Sequence, residues 1–142
     1  MTTTFKEVTI RHQITEDQVR NLLVSAFEGG STYWMYILKY EYPPKTCKDD
    51  FLAGGRRAVK DSTGEYWHPC YVIPFCEDGA IVLDDRYENV QYTLTRDKML
   101  EGLQIMAEKY PKHFQSIIED NTDATTADVF LQCSLFNEIV YG

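Results

Sequence analysis

Glu65-Tyr66-Trp67-His68-Pro69-Cys70 is the one place in this sequence where a carboxylate, an imidazole and a thiol crowd together. If the segment is extended, alternate side chains share a face, so His68 and Cys70 would point the same way, as a base and a nucleophile must. Catalysis by such a pair also needs a third group to orient the base, and the spacing supplies none. No catalytic residue is therefore assigned, and His68 is expected at a sheet surface or beside a pocket. Gly54-Gly55-Arg56-Arg57 is the concentrated positive feature. Glycines let backbone N–H groups approach an anion and guanidinium groups grip phosphate in pairs, so the segment reads either as a phosphate anchor or as a basic turn making surface ion pairs. Aromatic supply favours the first reading: Tyr33, Trp34 and Trp67, with Tyr36 and Tyr66, could stack a base, or else fill the core. The candidate ligand-binding set is Tyr33, Trp34, Arg56, Arg57, Trp67 and His68.

Other chemistry has weaker support. His12, His68 and His113 are remote in the chain and lack the spacing that puts two on one helical face. Glu77-Asp78 with Asp84-Asp85 matches no ordered metal loop and reads as a solvated acidic turn. Cys47, Cys70, Cys76 and Cys133 form no Cys-x-x-Cys pair, so reduced thiols are expected. Neither a metal site nor a cofactor is assigned.

The elements that must position these residues follow from periodicity. Phe5 to Gln13 alternates imperfectly, as an edge or half-buried strand would. Thr15, with Gln18 three residues on, is a capping box opening a helix to Phe27, on which Val19, Leu22, Leu23, Ala26 and Phe27 form one apolar stripe. Gly29 or Gly30 is expected to end it in the left-handed conformation and to aim Tyr33 and Trp34 inward. Strands are expected over Trp34 to Tyr42, Tyr66 to Phe75, Ala80 to Leu83 and Tyr87 to Leu94, with Lys45 to Asp50 a polar connection and Glu77-Asp78-Gly79 a hairpin turn. Phe51 to Ala53 reads either as a short helix or as the lead into a strand containing Ala58 and Val59. Thr95 caps a second helix to Lys109, striped by Met99, Leu100, Leu103, Met106 and Ala107. Pro111 interrupts it before a short helix over His113 to Glu119, and Asn121-Thr122-Asp123 caps the final helix. Glu138 to Gly142 has strand character.

The chain has 142 residues, 44% of them hydrophobic, enough for one cored domain over 1–142: a layered α+β unit, mainly antiparallel sheet packed with about three helices. A net charge of −8 argues against generic nucleic-acid binding and against anionic membranes, and favours a basic partner or plain solubility. No stretch approaches the ~18 apolar residues of a membrane span, and no leader is seen, so a cytoplasmic protein is expected.

Glu28 to Trp34, Gly79 to Leu83 and Leu135 to Gly142 together resemble a family of small bacteriophage and prophage proteins that carry Glu-Gly-Gly-x-x-Tyr-Trp, a Gly-x-Ile-hydrophobic strand and Leu-Phe-Gly-Glu-Ile-Val-Tyr/Phe-Gly. The resemblance spans the chain. Asn137 stands where the family usually has glycine, and asparagine tolerates a left-handed helix end next best. The resemblance implies a phage context and the host cytoplasm. By analogy with small acidic phage proteins that lack catalytic motifs, it implies an anti-defence role. The expected function is a homo-oligomeric sponge that sequesters a nucleotide-derived immune signal without turnover. The alternative is an acidic inhibitor that caps a host defence or nucleic-acid-binding protein.

Overall fold

The computed structural model describes residues 2–42, 49–51 and 57–142. Thr15 caps helix α1 (Glu16–Ser25) with the expected box: its hydroxyl accepts the Gln18 amide while the Gln18 side chain accepts the Thr15 amide. The helix widens into a single π turn, Ala26–Gly30, and strand β1 follows (Met35–Glu41). Then come β2 (Asp49–Phe51), β3 (Arg57–Lys60), β4 (Tyr66–Trp67), β5 (Ala80–Asp85), β6 (Gln91–Thr95), α2 (Arg96–Lys109), α3 (Pro111–Ile118) and α4 (Ala124–Phe136). The strands form two antiparallel sheets, ordered β1-β5-β6 and β2-β3-β4. The fold is α+β, as expected.

Side-chain alternation divides the larger sheet. Met35, Ile81, Leu83 and Leu94 face inward and join Leu22 and Leu23 of α1, Met99 and Met106 of α2, Ile117 of α3 and Phe130 and Leu131 of α4 in one apolar core. Ala80 and Val82, on the alternate positions of β5, are buried but stand outside that cluster, on the face the core does not occupy.

Several expectations need correction. Residues 5–13 form no strand: the alternation is broken at Lys6-Glu7, no strand among the described residues pairs with the segment, and Phe5 is 102% exposed. Tyr66 to Phe75 is a strand only at Tyr66–Trp67. Pro69 and Pro74 then start two 3-10 turns, Pro69–Tyr71 and Ile73–Phe75, because proline has no amide for a ladder but fits the first turn of a helix. Glu77-Asp78-Gly79 accordingly joins the second of those turns to β5, and Asp78 takes the left-handed φ of 64°. Tyr87 to Val90 belong to the β5–β6 connection. Asp49 and Asp50, expected in a connection, begin β2. Ala58 and Val59 lie in a strand as one reading had it, whereas Pro43 to Lys48 and Leu52 to Arg56 lie outside the described residues. On α2, Leu100 is 53% exposed; the buried stripe runs through Met99 and Met106, with Gly102 against Ser134 of α4, where a Cβ would stand 2.7 Å from the Ser134 Cα.

The Gly29-Gly30 corner is real, but its mechanism differs from the expected one. Gly29 leaves the helix with φ 162° and ψ −42°, outside the left-handed well, and the Ser31 amide closes the turn on the Ala26 carbonyl at 2.9 Å. The requirement for glycine falls on Gly30, where a Cβ would lie 2.6 Å from the Ala124 carbonyl oxygen. At the other end of the chain Asn137 closes α4 at φ 63°, as the substitution for glycine implies.

Candidate functional site

Helix α4 carries a carboxylate and an amide one turn apart inside an otherwise apolar run: Asp128 and Gln132, both buried. That pair joins the two end motifs. Asp128 Oδ1 accepts Ser31 Oγ at 2.7 Å and Trp34 Nε1 at 2.8 Å, and Oδ2 accepts Tyr33 Oη at 2.6 Å and Gln132 Nε2 at 3.0 Å. Gln132 Oε1 accepts the amides of Val140 and Tyr141 at 2.7 and 2.8 Å, while Nε2 also donates to the Tyr141 carbonyl at 3.1 Å. Glu138 to Gly142, expected as a strand, needs none of the ladder bonds, because Gln132 supplies them from a side chain. The Tyr141 ring then stacks on Trp34 with centroids 5.2 Å apart, and its hydroxyl donates to Asp85. Asp85 also accepts Tyr92 Oη and the amides of Tyr87 and Glu88. Burial opposes its ionisation, but these hydrogen bonds outweigh burial and hold the carboxyl below its ordinary range.

Where the motifs meet they leave an open cleft of about 440 Å³, walled by Gly29, Gly30 and Tyr33, by His113 of α3, by Thr125 and Val129 of α4, and by Ile139 and Gly142. Tyr33 is 42% exposed. Desolvation, with the Asp128 carboxylate next, pushes its hydroxyl up to about 12, so it remains a neutral donor at physiological pH.

The expected site residues are not brought together. Tyr33 lies on the cleft. Trp34, expected as a stacking wall, is fully buried, with Tyr141, Phe136 and Tyr92 around its indole, and no face of it is open to a ligand. Trp67 belongs to another cluster: its Nε1 donates to Asp61 at 2.8 Å, and the buried Arg20 guanidinium lies 5.5 Å from its ring. Arg20 also contacts the Phe75 ring, donates to the Tyr71 carbonyl at 2.9 Å and pairs with Asp17 and Asp61. Burial works against the Asp61 charge, but donors from Thr63, Trp67 and Glu65 prevail and bring its pKa down to about 2. Arg57 begins β3, and Arg56 lies outside the described residues.

His68 and Cys70 do meet, Nδ1 lying 3.1 Å from Sγ, while the Cys70 amide donates to Nδ1 at 3.3 Å as a helix cap. The chemistry runs against a nucleophile, since burial pushes the Cys70 thiol up to about 12, the reverse of what a reactive cysteine needs. Sequence reasoning missed Ser31, Asp85, Asp128 and Gln132. The available signal was Asp128 and Gln132 themselves, two polar residues at i, i+4 between Ala127 and Cys133.

Among the described residues no three His, Cys, Asp or Glu side chains converge as metal ligands would, and no helix is long and apolar enough to cross a membrane. Comparison with protein-family models, curated proteins and solved structures finds no match to this chain.

Proposed function

We propose that this chain is a non-catalytic binding protein that holds a small nucleotide-derived ligand in the cleft between Tyr33, His113, Thr125 and Gly142, and, on the phage resemblance, withholds that ligand from a host defence. The observation that carries this reading is the convergence on one cleft of the two motif segments, which lie about a hundred residues apart, around a hub whose hydrogen-bonding capacity is spent on holding them. Asp128 has a donor at each of four lone-pair positions, which suits a wall that must keep its shape and leaves little for acid–base work. The rim offers the His113 imidazole, the Thr125 hydroxyl and the neutral, partly exposed Tyr33 phenol, groups that suit a base and its sugar. Trp34 has no part in contact with ligand under this reading. Arg56 and Arg57 remain proposed phosphate anchors.

The test is calorimetric titration with cyclic and linear nucleotides, followed by heat release and mass analysis of the retained compound. Saturable binding that Tyr33→Ala weakens about tenfold, with the compound recovered intact, supports capture. A chemically altered compound points to turnover, and no binding by any nucleotide overturns the reading. A second reading, an acidic inhibitor of a basic host protein, is favoured by the groove beside the larger sheet that Glu41, Glu77, Asp78 and Asp97 line together with Arg96.

A further inference from the structure

Residues 138–142 are held to the body by side-chain groups. Among the described residues they make no backbone–backbone hydrogen bond. The Ile139 amide donates to Tyr110 Oη at 2.9 Å, the Val140 and Tyr141 amides donate to Gln132 Oε1, and the Tyr141 carbonyl accepts Gln132 Nε2. Ile139 and Val140 are 37 and 53% exposed, whereas the Tyr141 ring packs inward. It stacks on Trp34 at 5.2 Å and 13°, with Tyr87 at 5.9 Å and Phe136 at 6.1 Å beside it. A segment with exposed side chains and no ladder opens locally at far less cost than the core it covers.

Tyr141 occupies its slot as a planar ligand would. Its ring covers the indole of Trp34, its amide and carbonyl present a donor beside an acceptor to one glutamine side chain, and its hydroxyl donates to Asp85. The orientation of that glutamine is fixed. Gln132 Nε2 also donates to Asp128 Oδ2 at 3.0 Å, which leaves Oε1 as the acceptor. Adenine offers the same features: a flat ring for stacking on an aromatic side chain, and N6–H beside N7, the edge that a glutamine amide pairs with through two hydrogen bonds. Guanine carries two acceptors, O6 and N7, on the corresponding edge.

We infer that Tyr141 is a built-in stand-in for the ligand's base, and that an adenine nucleoside displaces it. The base then stacks on Trp34 and pairs N6–H and N7 with Gln132, and a ribose hydroxyl takes the Asp85 oxygen that the Tyr141 hydroxyl leaves. This rests on the reading of the chain as a nucleotide-binding protein and gives the base a place behind the cleft wall, since Gln132 and Tyr141 both line that cleft. The Asp128 bonds to Ser31, Tyr33 and Trp34 are untouched by the exchange, so the hub keeps its shape while the segment over it gives way. Competition with Tyr141 weakens binding in proportion to how seldom the slot is open, so removing the competitor strengthens it.

Calorimetric titration with adenosine tests it, with thermal melts showing that each variant is folded. Tyr141→Ala empties the slot and should bind adenosine at least about tenfold tighter than wild type, whereas truncating a residue that serves only as cleft wall weakens binding. In NMR spectra the Trp34 indole N–H signal should shift on binding while that of Trp67, which lies in another cluster, stays in place. A measurement on the wild-type chain needs no variant: saturating adenosine should speed exchange of the Val140 and Tyr141 amides, whose bonds to Gln132 are lost, where a ligand resting on an undisturbed wall slows them. Guanosine should bind at least about tenfold more weakly than adenosine. An alanine variant that binds no tighter, an unshifted Trp34 signal, slowed amides, or guanosine equal to adenosine each overturns the inference. Nucleotide capture that Tyr33→Ala weakens but Tyr141→Ala does not strengthen leaves the cleft reading standing and overturns this one. No binding by either the wild type or the Tyr141→Ala variant overturns both.

Discussion

Asp128→Ala is the sharpest perturbation of the hub. It removes the acceptor of Trp34 Nε1 at 2.8 Å and of Ser31 Oγ at 2.7 Å, both belonging to fully buried residues that water cannot reach without disrupting the core. Each donor left unpaired in the interior costs about 1–3 kcal/mol, whereas Tyr33, half-exposed at the cleft, can be rehydrated. With the shortened side chain adding a small cavity, the loss comes to about 3–5 kcal/mol, against a whole-domain stability of about 5–15 kcal/mol. For a chain of this size that lowers the melting temperature by roughly 10–15 °C. Asp128→Asn keeps the shape and the Oδ1 acceptor for Ser31 and Trp34 but turns an amide donor toward Gln132 Nε2, so it should cost less, about 1–2 kcal/mol. Calorimetric melts read both. An Asp128→Ala protein melting within about 3 °C of wild type, or an asparagine variant losing more than the alanine one, would refute the hub as the tie between the two motifs.

Three further outcomes follow from the same geometry. Gly30→Ala drives a methyl into the Ala124 carbonyl and Gly102→Ala drives one into the Ser134 backbone, so each should lose about 1–3 kcal/mol in denaturant titration, while Gly29→Ala, with open space around its Cβ, should stay within about 1 kcal/mol of wild type. Asp61 is held down to about 2 from an ordinary value near 3.8, so its contribution is complete above the unfolded value and is lost as pH falls through the folded one. Stability measured from pH 5 to pH 2 should therefore drop on acidification, and Asp61→Asn should flatten that drop; an unchanged profile in the variant would count against the assignment. Native Cys70, its thiol pushed up to about 12, should resist alkylation at pH 8 on a timescale on which the unfolded chain reacts fully, as mass spectrometry of quenched samples would show.

Local rules carried the helices well because their determinants are contiguous. The Thr15–Gln18 box, the Thr95 and Asp123 caps and the left-handed Asn137 each involve residues within four positions of one another, and each stands where the pattern placed it. Strand expectations fared worse for a physical reason: a strand exists only if another presents its ladder, and residues 5–13 found none among the described residues, while Pro69 and Pro74 withheld amides from 66–75. The aromatic assignment divided in the same way. Tyr33 and Trp34 are neighbours in sequence, but the first reaches the cleft and the second the core, and what separates them is Asp128, ninety-four residues beyond Trp34. No local pattern contains that distance. The glycine corner was legible as a corner, yet the reason for Gly30 is the approach of Ala124, which only the fold reveals.

The buried ionisable groups share one property that bears on function. Asp128 accepts from Ser31, Tyr33, Trp34 and Gln132; Asp85 accepts from three tyrosines, one of them by its amide, and from Glu88; Asp61 accepts from Thr63, Glu65 and Trp67 beside Arg20. Saturation is repeated at each of these three carboxylates, and the Cys70 thiol beside His68 is shifted away from reactivity. Saturated hubs resist deformation, and walls that do not deform lose little conformational entropy when a ligand arrives. At Asp128 that rigidity is tied to the residues of the two end motifs, since Ser31, Tyr33 and Trp34 donate to it directly and Gln132 links it to Val140 and Tyr141.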